Sequence, residues 1–202
     1  VYIMHRDNLD VPVGEFVDAL NALVDQGLIG ALGGSNWSAE RFVEAETYAS
    51  ARGLRRLSIL NNNLSLAVME KPVWAGCITS NSPEMLGYLR QSGATHLSWS
   101  SQARGYFIDE SERTELPADT APDTCFSSLG NEERRRRAET LAQERGVKTH
   151  NIATAWVLAQ GFPSLALIGP RTIEEIETTL PALDLDLTEA EVAWLNLERE
   201  ER

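Results

Sequence analysis

Polar, small and aromatic residues follow each of the five short apolar runs that have the length of a buried strand. The five sets are His5; Gly34, Ser35 and Asn36; Asn61, Asn62 and Asn63; Trp99, Ser100, Ser101 and Gln102; and Gly169, Pro170 and Arg171. Asn and Gly are ordinary turn residues, so one such set would carry little weight. Together they offer amides, hydroxyls, an aromatic ring and a turn entering a helix, whose N-terminus attracts phosphate. This combination predicts a site for a flat, polyphosphorylated cofactor.

The apolar runs alternate with stretches that have helical spacing. The predicted strands are residues 1–4, 28–32, 57–60, 95–99 and 165–168. The helical stretches are residues 16–24 with a stop at Gly27, 38–53, 82–93, 132–145, 152–160, 172–180 and a last helix that starts with a capping box at 188–191. Strand–helix alternation predicts a parallel sheet. Residues 100–130 are long, polar and rich in Pro, Asp and Thr, and we interpret them as a functional or mobile loop.

Two α/β architectures fit this alternation. One is an open, doubly wound sheet, and the other is a (β/α)8 barrel of TIM type that lacks about three units. No G-x-G-x-x-G follows the first strand, which weakens the doubly wound alternative. In a barrel, the carboxyl ends of the strands carry the chemistry, and all five polar sets lie there.

Composition limits the partners and the setting. The chain has 202 residues and a net charge of −12, and we expect one domain over residues 1–202. An acidic surface repels phosphate backbones, so we expect no nucleic-acid partner. We also expect no membrane association, because no apolar stretch is long enough to cross a bilayer. Two cysteines and three widely spaced histidines match no metal-site spacing, so we expect no metal and a reducing, cytoplasmic setting.

Two charged motifs have simple interpretations. The run RRRR at 134–137 points in different directions on a helix, so we expect most of it to be a solvated face. The triplet HRD at 5–7 also occurs in the catalytic loop of protein kinases. That loop requires Asn five residues after the Asp, and Pro12 stands there. A kinase is therefore rejected.

Four segments, in order, resemble the later part of an aldo-keto reductase: VYIMHRDN, FVDALNALVDQGLIGALGGSNWS, LSWSSQARGYF and ALIGPRTIEEIETTL. The resemblance covers essentially the whole chain. It implies an incomplete (β/α)8 barrel of about five units and an oxidoreductase that uses NADP, with NAD possible, to reduce a small-molecule carbonyl, an aldehyde or ketone, by hydride transfer.

The resemblance also implies roles for individual residues. His5 matches the active-site histidine that orients the substrate carbonyl. Ser35 and Asn36 match the pair that binds the nicotinamide carboxamide, and Asn61 lies where the family often has Gln for the same task. The remaining matches are Trp99 for the aromatic that stacks on the nicotinamide; Ser100, Gln102 and Arg104 for the loop near the pyrophosphate; Gly169, Pro170 and Arg171 for the adenosine phosphate; and Glu174 near the adenine. Glu175 departs from the family, which has Asn or Gln there.

The family's Asp, proton-donating Tyr and Lys belong to the first three strand–helix units. The match begins at the fourth strand, and no tyrosine of this chain matches the donor motif. We therefore expect a chain that lacks the first three units and the donor set, and that self-associates through exposed barrel edges. Two alternatives stay open: a non-catalytic remnant, and a half-barrel that another chain completes.

Overall fold

The computed structural model describes residues 1–113 and 115–202, and Thr114, in the predicted loop 100–130, lies outside them. In the described residues, five parallel strands form one sheet in the order β1-β2-β3-β4-β5. The strands are β1 Tyr2–Met4, β2 Leu32–Ser35, β3 Ile59–Asn61, β4 Thr95–Ser98 and β5 Ser164–Ala166. Each neighbour in the sheet is the next strand in sequence, so every crossover runs in the same sense around the sheet.

Helices connect the strands and cover one face of the sheet. They are α1 Val13–Asp25, α2 Ala39–Arg52, α3 Pro83–Ser92, α4 Pro122–Phe126, α5 Leu129–Arg145, α6 Thr149–Leu158, α7 Ile173–Glu177 and α8 Glu189–Leu195. Short 3-10 turns lie at Ala103–Gly105, Glu110–Glu112 and Leu180–Asp184. The predicted starts at Ser38, Ser82 and Thr188 are confirmed, because each hydroxyl accepts the backbone N–H three residues later.

The two faces of the sheet have different surroundings. On the face under the helices, Leu60 and His96 are fully buried. On the other face, Ile59 and Leu97 are only partly covered, and Leu165 is half exposed. β1 and β5 are the edges of the sheet, as the sequence predicts, and the first of them exposes Val1 and Tyr2.

The second strand begins later than predicted. Leu28, in the predicted strand 28–32, is exposed and follows the left-handed turn at Gly27, whereas β2 contains Gly33 and Gly34. A Cβ at Gly33 would lie 2.5 Å from the carbonyl oxygen of Ile59. Gly33 therefore fits in the strand because it has no side chain to meet the neighbouring strand, and a Cβ at Gly34 would lie 2.8 Å from the Trp37 ring.

Two further predictions need correction. The stretch 100–130 is not a single loop, since it contains α4, 3-10 turns and the start of α5. The arginine run at 134–137 is not mostly a solvated face either, because only Arg136 of the four is exposed. Arg136 is exposed, but Arg137 is buried and donates to the carbonyl oxygens of Trp194 and Arg199, both at 2.6 Å. Arg137 therefore attaches α5 to the C-terminal segment.

Candidate functional site

Strand register brings the predicted polar sets to one edge of the sheet. Gly34 pairs with Met4 on one side, Ser35 pairs with Asn61, and Ser98 pairs with Ala166. His5, Asn36 and Trp99 therefore leave the sheet in the same direction, at its carboxyl edge.

A cavity of about 830 Å³ opens at this edge beyond β4 and β5. Eight of the predicted cofactor residues line it: Trp99, Ser100, Gln102, Arg104, Gly169, Pro170, Arg171 and Glu174. Its volume is within the range of small-molecule and cofactor sites. The residues come from two segments that are 65 positions or more apart in sequence, so the fold is what brings them together.

The loop after β4 holds its residues in an unusual backbone conformation. Ser100, Ala103 and Arg104 have φ values of 49°, 48° and 56°, in the left-handed region that non-glycine residues seldom adopt. Such residues persist where surrounding contacts fix them, and they cluster at ligand sites. Here the Ser101 hydroxyl donates to the Leu167 carbonyl at 2.8 Å and attaches the loop to the chain after β5.

Gln102 joins this loop to α6 and to the chain after α7. Its side-chain amide donates to the hydroxyls of Thr154, in α6, and Thr179, after α7, both at 3.2 Å. Thr154 and Thr179 are buried. The amide nitrogen thus organises one wall of the cavity.

A second tryptophan, not identified from the sequence, lies beside Trp99. The ring centroids of Trp74 and Trp99 are 6.1 Å apart with the planes tilted by 45°, and the Arg104 guanidinium lies 5.3 Å from the Trp74 ring centre. Arg104 also donates to the Thr120 carbonyl at 2.6 Å. The indole N–H of Trp99 is buried without a hydrogen-bond partner among the described residues. Trp74 lies in the irregular segment between β3 and α3, where no periodicity marks a functional position.

The turn after β5 fits phosphate less well than the sequence suggests. The predicted helix 172–180 is the five-residue α7, which is followed by a 3-10 turn. A helix this short provides little of the dipole on which the phosphate argument rests. In addition, the Glu175 carboxylate accepts the backbone N–H of Arg171 at 2.5 Å. The backbone N–H of Arg171 therefore already has an acceptor, and Arg171 is one of the residues that line the cavity.

His5, Ser35, Asn36 and Asn61 lie at the same sheet edge but outside the lining of this cavity. The Ser35 hydroxyl donates to the Asn61 carbonyl at 2.8 Å and accepts from the Asn36 amide at 3.1 Å. The side-chain Oδ1 of Asn36 accepts the backbone N–H of Ile78 at 3.2 Å, and the side-chain amide of Asn61 donates to the Leu97 backbone carbonyl at 2.7 Å. These polar groups are organised by the chain itself, while His5 is exposed.

The N-terminus of α6 contributes cavity residues that sequence reasoning missed, among them Lys148 and His150. Lys148 forms an ion pair with Glu112 at 3.6 Å across the cavity mouth. His150 Nε2 lies 3.0 Å from the Thr178 carbonyl oxygen. Burial lowers the pKa of His150, and the contact with that carbonyl opposes the shift. The strand–helix alternation could have identified these residues. A helix that precedes a parallel strand starts at the carboxyl edge of the sheet, where the cavity lies.

The side chains that line the cavity fit NADP in part. Trp99 provides an aromatic surface, and Arg104 and Arg171 provide positive charge in a chain of net charge −12. Glu112, Glu174 and Glu175 also line the cavity, so the charges are mixed. In the described residues, no group of three or more His, Cys, Asp and Glu side chains is arranged to hold a metal ion, and no helix is long and apolar enough to span a membrane.

Comparison with known proteins identifies the family. The model of the aldo/keto reductase family matches residues 1–196. A putative aryl-alcohol dehydrogenase of Schizosaccharomyces pombe is 27% identical over 197 residues, which are 95% of this chain and 52% of that protein. The versiconal hemiacetal acetate reductase of Aspergillus parasiticus is 25% identical, over 95% of this chain and 54% of that protein.

Solved structures show the same fold. An aldo/keto reductase from Klebsiella pneumoniae, determined with NADP and acetate, aligns with a TM-score of 0.69 and 19% identity over 100% of this chain and 59% of that one. A thermostable aldo-keto reductase in complex with epalrestat aligns with a TM-score of 0.69 and 21% identity over 97% and 58% of the two chains. The predicted fold class, part of a (β/α)8 barrel with about five units, is thereby confirmed. The chain spans about half the length of the curated relatives that it matches, and it belongs to the aldo/keto reductase family.

Proposed function

We propose that this chain carries the nucleotide-binding part of an NADP-dependent carbonyl reductase. The observation that carries the proposal is the cavity at the carboxyl edge, whose lining includes eight residues that sequence resemblance assigns to the cofactor. Family membership supports an oxidoreductase in general terms. The choice of NADP over NAD rests on Arg171, whose guanidinium suits a 2′-phosphate.

Each residue has a role in this proposal. Trp99 stacks on the nicotinamide, and Ser35, Asn36 and Asn61 hold its carboxamide by exchanging some of their present hydrogen bonds. Ser100, Gln102 and Arg104 face the pyrophosphate. Gly169, Pro170 and Arg171 surround the adenosine phosphate, and Glu174 lies near the adenine. The bound cofactor would supply the hydride, while His5 would orient the carbonyl of a small aldehyde or ketone.

Binding and catalysis are separate parts of the proposal. Reduction needs an acid to protonate the developing alkoxide. None of the four tyrosines, all in the described part of the chain, lines the cavity, and the Tyr48 hydroxyl is bonded to Asp18 at 2.7 Å on the outer side of the helices. We therefore propose that the 202-residue chain binds the nucleotide without catalysing ordinary carbonyl reduction. The alternatives are a non-catalytic remnant that binds the nucleotide weakly or not at all, and a half-barrel that another chain completes.

We also propose the domain organisation, cellular compartment and partners of the chain. In the described part of the chain, the buried apolar side chains from Val13 to Leu195 form one cluster, which supports a single domain over residues 1–202. Cys77 and Cys125 are buried free thiols, in keeping with a reducing cytoplasm. Neither a nucleic acid nor a membrane is proposed as a partner.

A binding titration tests the proposal. NADPH and NADH are titrated into the wild-type chain and into Arg171→Leu and Trp99→Leu, with calorimetric detection. Loss of a charge-assisted contact to the 2′-phosphate should weaken NADPH binding by about 10- to 100-fold in Arg171→Leu and change NADH binding far less. The matched control is Arg56→Leu, since Arg56 is exposed and paired with Glu46 away from the cavity. Equal NADPH affinity in Arg171→Leu and the wild type would contradict the cofactor assignment.

A further inference from the structure

The guanidinium of Arg41, in the first turn of α2, is buried against the loop that carries His5. The residue is 7% exposed. Its Nε lies 3.1 and 3.2 Å from the two carboxylate oxygens of Asp7. Another nitrogen donates to the carbonyl oxygens of Val11 at 2.6 Å and Asn8 at 3.4 Å. The guanidinium therefore contacts three residues of the segment between β1 and α1.

A buried charge is stabilised only where it is paired and hydrogen-bonded. The Asp7 side chain is itself only 10% exposed, so this pair is protected from solvent. The third arginine nitrogen bonds Glu44 at 2.9 Å, one turn further along α2. The planar fork satisfies partners in several directions at once, which the single ammonium of lysine does not do.

The same guanidinium contacts the element that carries Ser35 and Asn36. It lies 5.6 Å from the ring centre of Trp37, the residue after Asn36, and 5.9 Å from that of Phe16 in α1. Trp37 is fully buried, and its carbonyl accepts the Asn62 amide at 2.9 Å. One side chain therefore touches both the loop after β1 and the turn after β2.

The other flank of His5 is tied to a different element. Two nitrogens of Arg6 each lie 3.5 Å from the sulfur of Cys77, in the segment between β3 and α3. His5 thus precedes two residues whose side chains are both held, Arg6 by Cys77 and Asp7 by Arg41. The backbone at His5 is restrained although its own side chain is exposed.

We propose that Arg41 is a positioning residue that sets the placement of His5 relative to the Ser35 and Asn36 turn. Its chemical meaning rests on the proposed function, in which His5 orients the substrate carbonyl and Ser35 and Asn36 hold the carboxamide. Arg41 touches neither ligand and acts through Asp7 and Trp37.

The test records NMR spectra of the imidazole rings in the wild-type chain, Arg41→Lys and Asp7→Asn, after isotope labelling of histidine. The chain has three histidines, and His96 and His150 report on the sheet and on α6. The matched control is Arg56→Lys, which makes the same change at an exposed ion pair. Arg41→Lys and Asp7→Asn should each shift or broaden the His5 ring signals by more than a line width, with the other two histidines unchanged. Arg56→Lys should leave all three unchanged.

Two outcomes overturn the proposal: His5 signals that stay unchanged in Arg41→Lys and Asp7→Asn, and shifts of all three histidines together, which indicate a general structural role. If Arg41→Lys does not fold, Asp7→Asn decides the question, because it keeps the guanidinium and its carbonyl partners. NADPH titration of the wild-type chain is scored separately. Failure of NADPH to bind would remove the proposed function but leave a selective His5 shift as valid evidence for positioning.

Discussion

The Nδ1 atom of His96 lies 2.7 Å from the hydroxyl oxygen of Ser98, and both side chains are fully buried beneath the helices. The other ring nitrogen lies 2.9 Å from the Ser80 hydroxyl, which is also buried. No carboxylate takes part in these two contacts, so the ring is held in its neutral form. Burial lowers the pKa of His96 from 6.5 to about 3.

This lowered pKa predicts acid sensitivity. Between about pH 6.5 and the folded pKa of about 3, the unfolded chain binds a proton at His96 that the folded chain does not. The free energy of unfolding should therefore fall with decreasing pH, and the slope from His96 should steepen below pH 6.5 towards a limit of about 1.4 kcal/mol per pH unit. Denaturant unfolding at several pH values between about 5 and 7 measures the slope. His96→Asn should have a shallower slope than the wild type, and equal slopes would contradict the assignment.

Two neighbouring arginines of α5 should differ in how much their replacement lowers the free energy of unfolding. Arg137→Ala leaves the carbonyls of Trp194 and Arg199 without this donor, and an unsatisfied buried group costs about 1–3 kcal/mol. Arg136→Ala removes only an exposed pair with Glu133 and should cost much less, because solvent screens that pair. Denaturant unfolding of both variants measures the difference. An equal loss in both would contradict the buried role of Arg137.

The sheet edges predict self-association. Leu165, in edge strand β5, is 51% exposed, and unpaired strand edges with apolar side chains recruit other chains. Light scattering should show a mass that rises with concentration for the wild-type chain. Leu165→Lys should reduce that rise, whereas Leu129→Lys, which adds the same charge at an exposed position on α5, should not. A monomeric wild type with a cooperative high-temperature transition would contradict this prediction.

Much of the fold follows from local sequence, because caps and glycine stops are local. Ser82 and Gly93 bound α3 as predicted, and Gly53 ends α2. The predicted bounds of the second strand, 28–32, were wrong because the requirement for glycine at Gly33 arises from the neighbouring strand, which no local pattern reveals. Arg137 was misjudged for a similar reason, since its partners come from the chain's last segment.

The site was predictable to the extent that it lies at strand ends. Trp99 and Arg171 meet at one cavity because parallel strands share a carboxyl edge. The sequence did not identify Trp74, because it lies in a segment without regular secondary structure. It did not identify Lys148, because that residue reaches the cavity only if α6 begins there. The hydrogen bond from the Arg171 backbone N–H to the Glu175 carboxylate also required coordinates, because no local pattern reveals it.

We expect no carbonyl reduction by the chain alone. The 202-residue chain should not oxidise NADPH with a panel of aldehydes above the uncatalysed rate, since general acids typically contribute about 10²- to 10⁴-fold to rate. A full-length aldo-keto reductase serves as the positive control in the same assay. Robust turnover by the chain alone would show that another group supplies the proton.

Hydrogen exchange with and without NADPH tests the central claim most directly, because it locates the nucleotide rather than only detecting it. The cavity at the carboxyl edge predicts slower exchange in peptides covering residues 99–105 and 168–179, and little change in residues 12–18 and 44–48, which line a separate acidic groove on the helices. NADPH binding that protects neither 99–105 nor 168–179 would contradict the account.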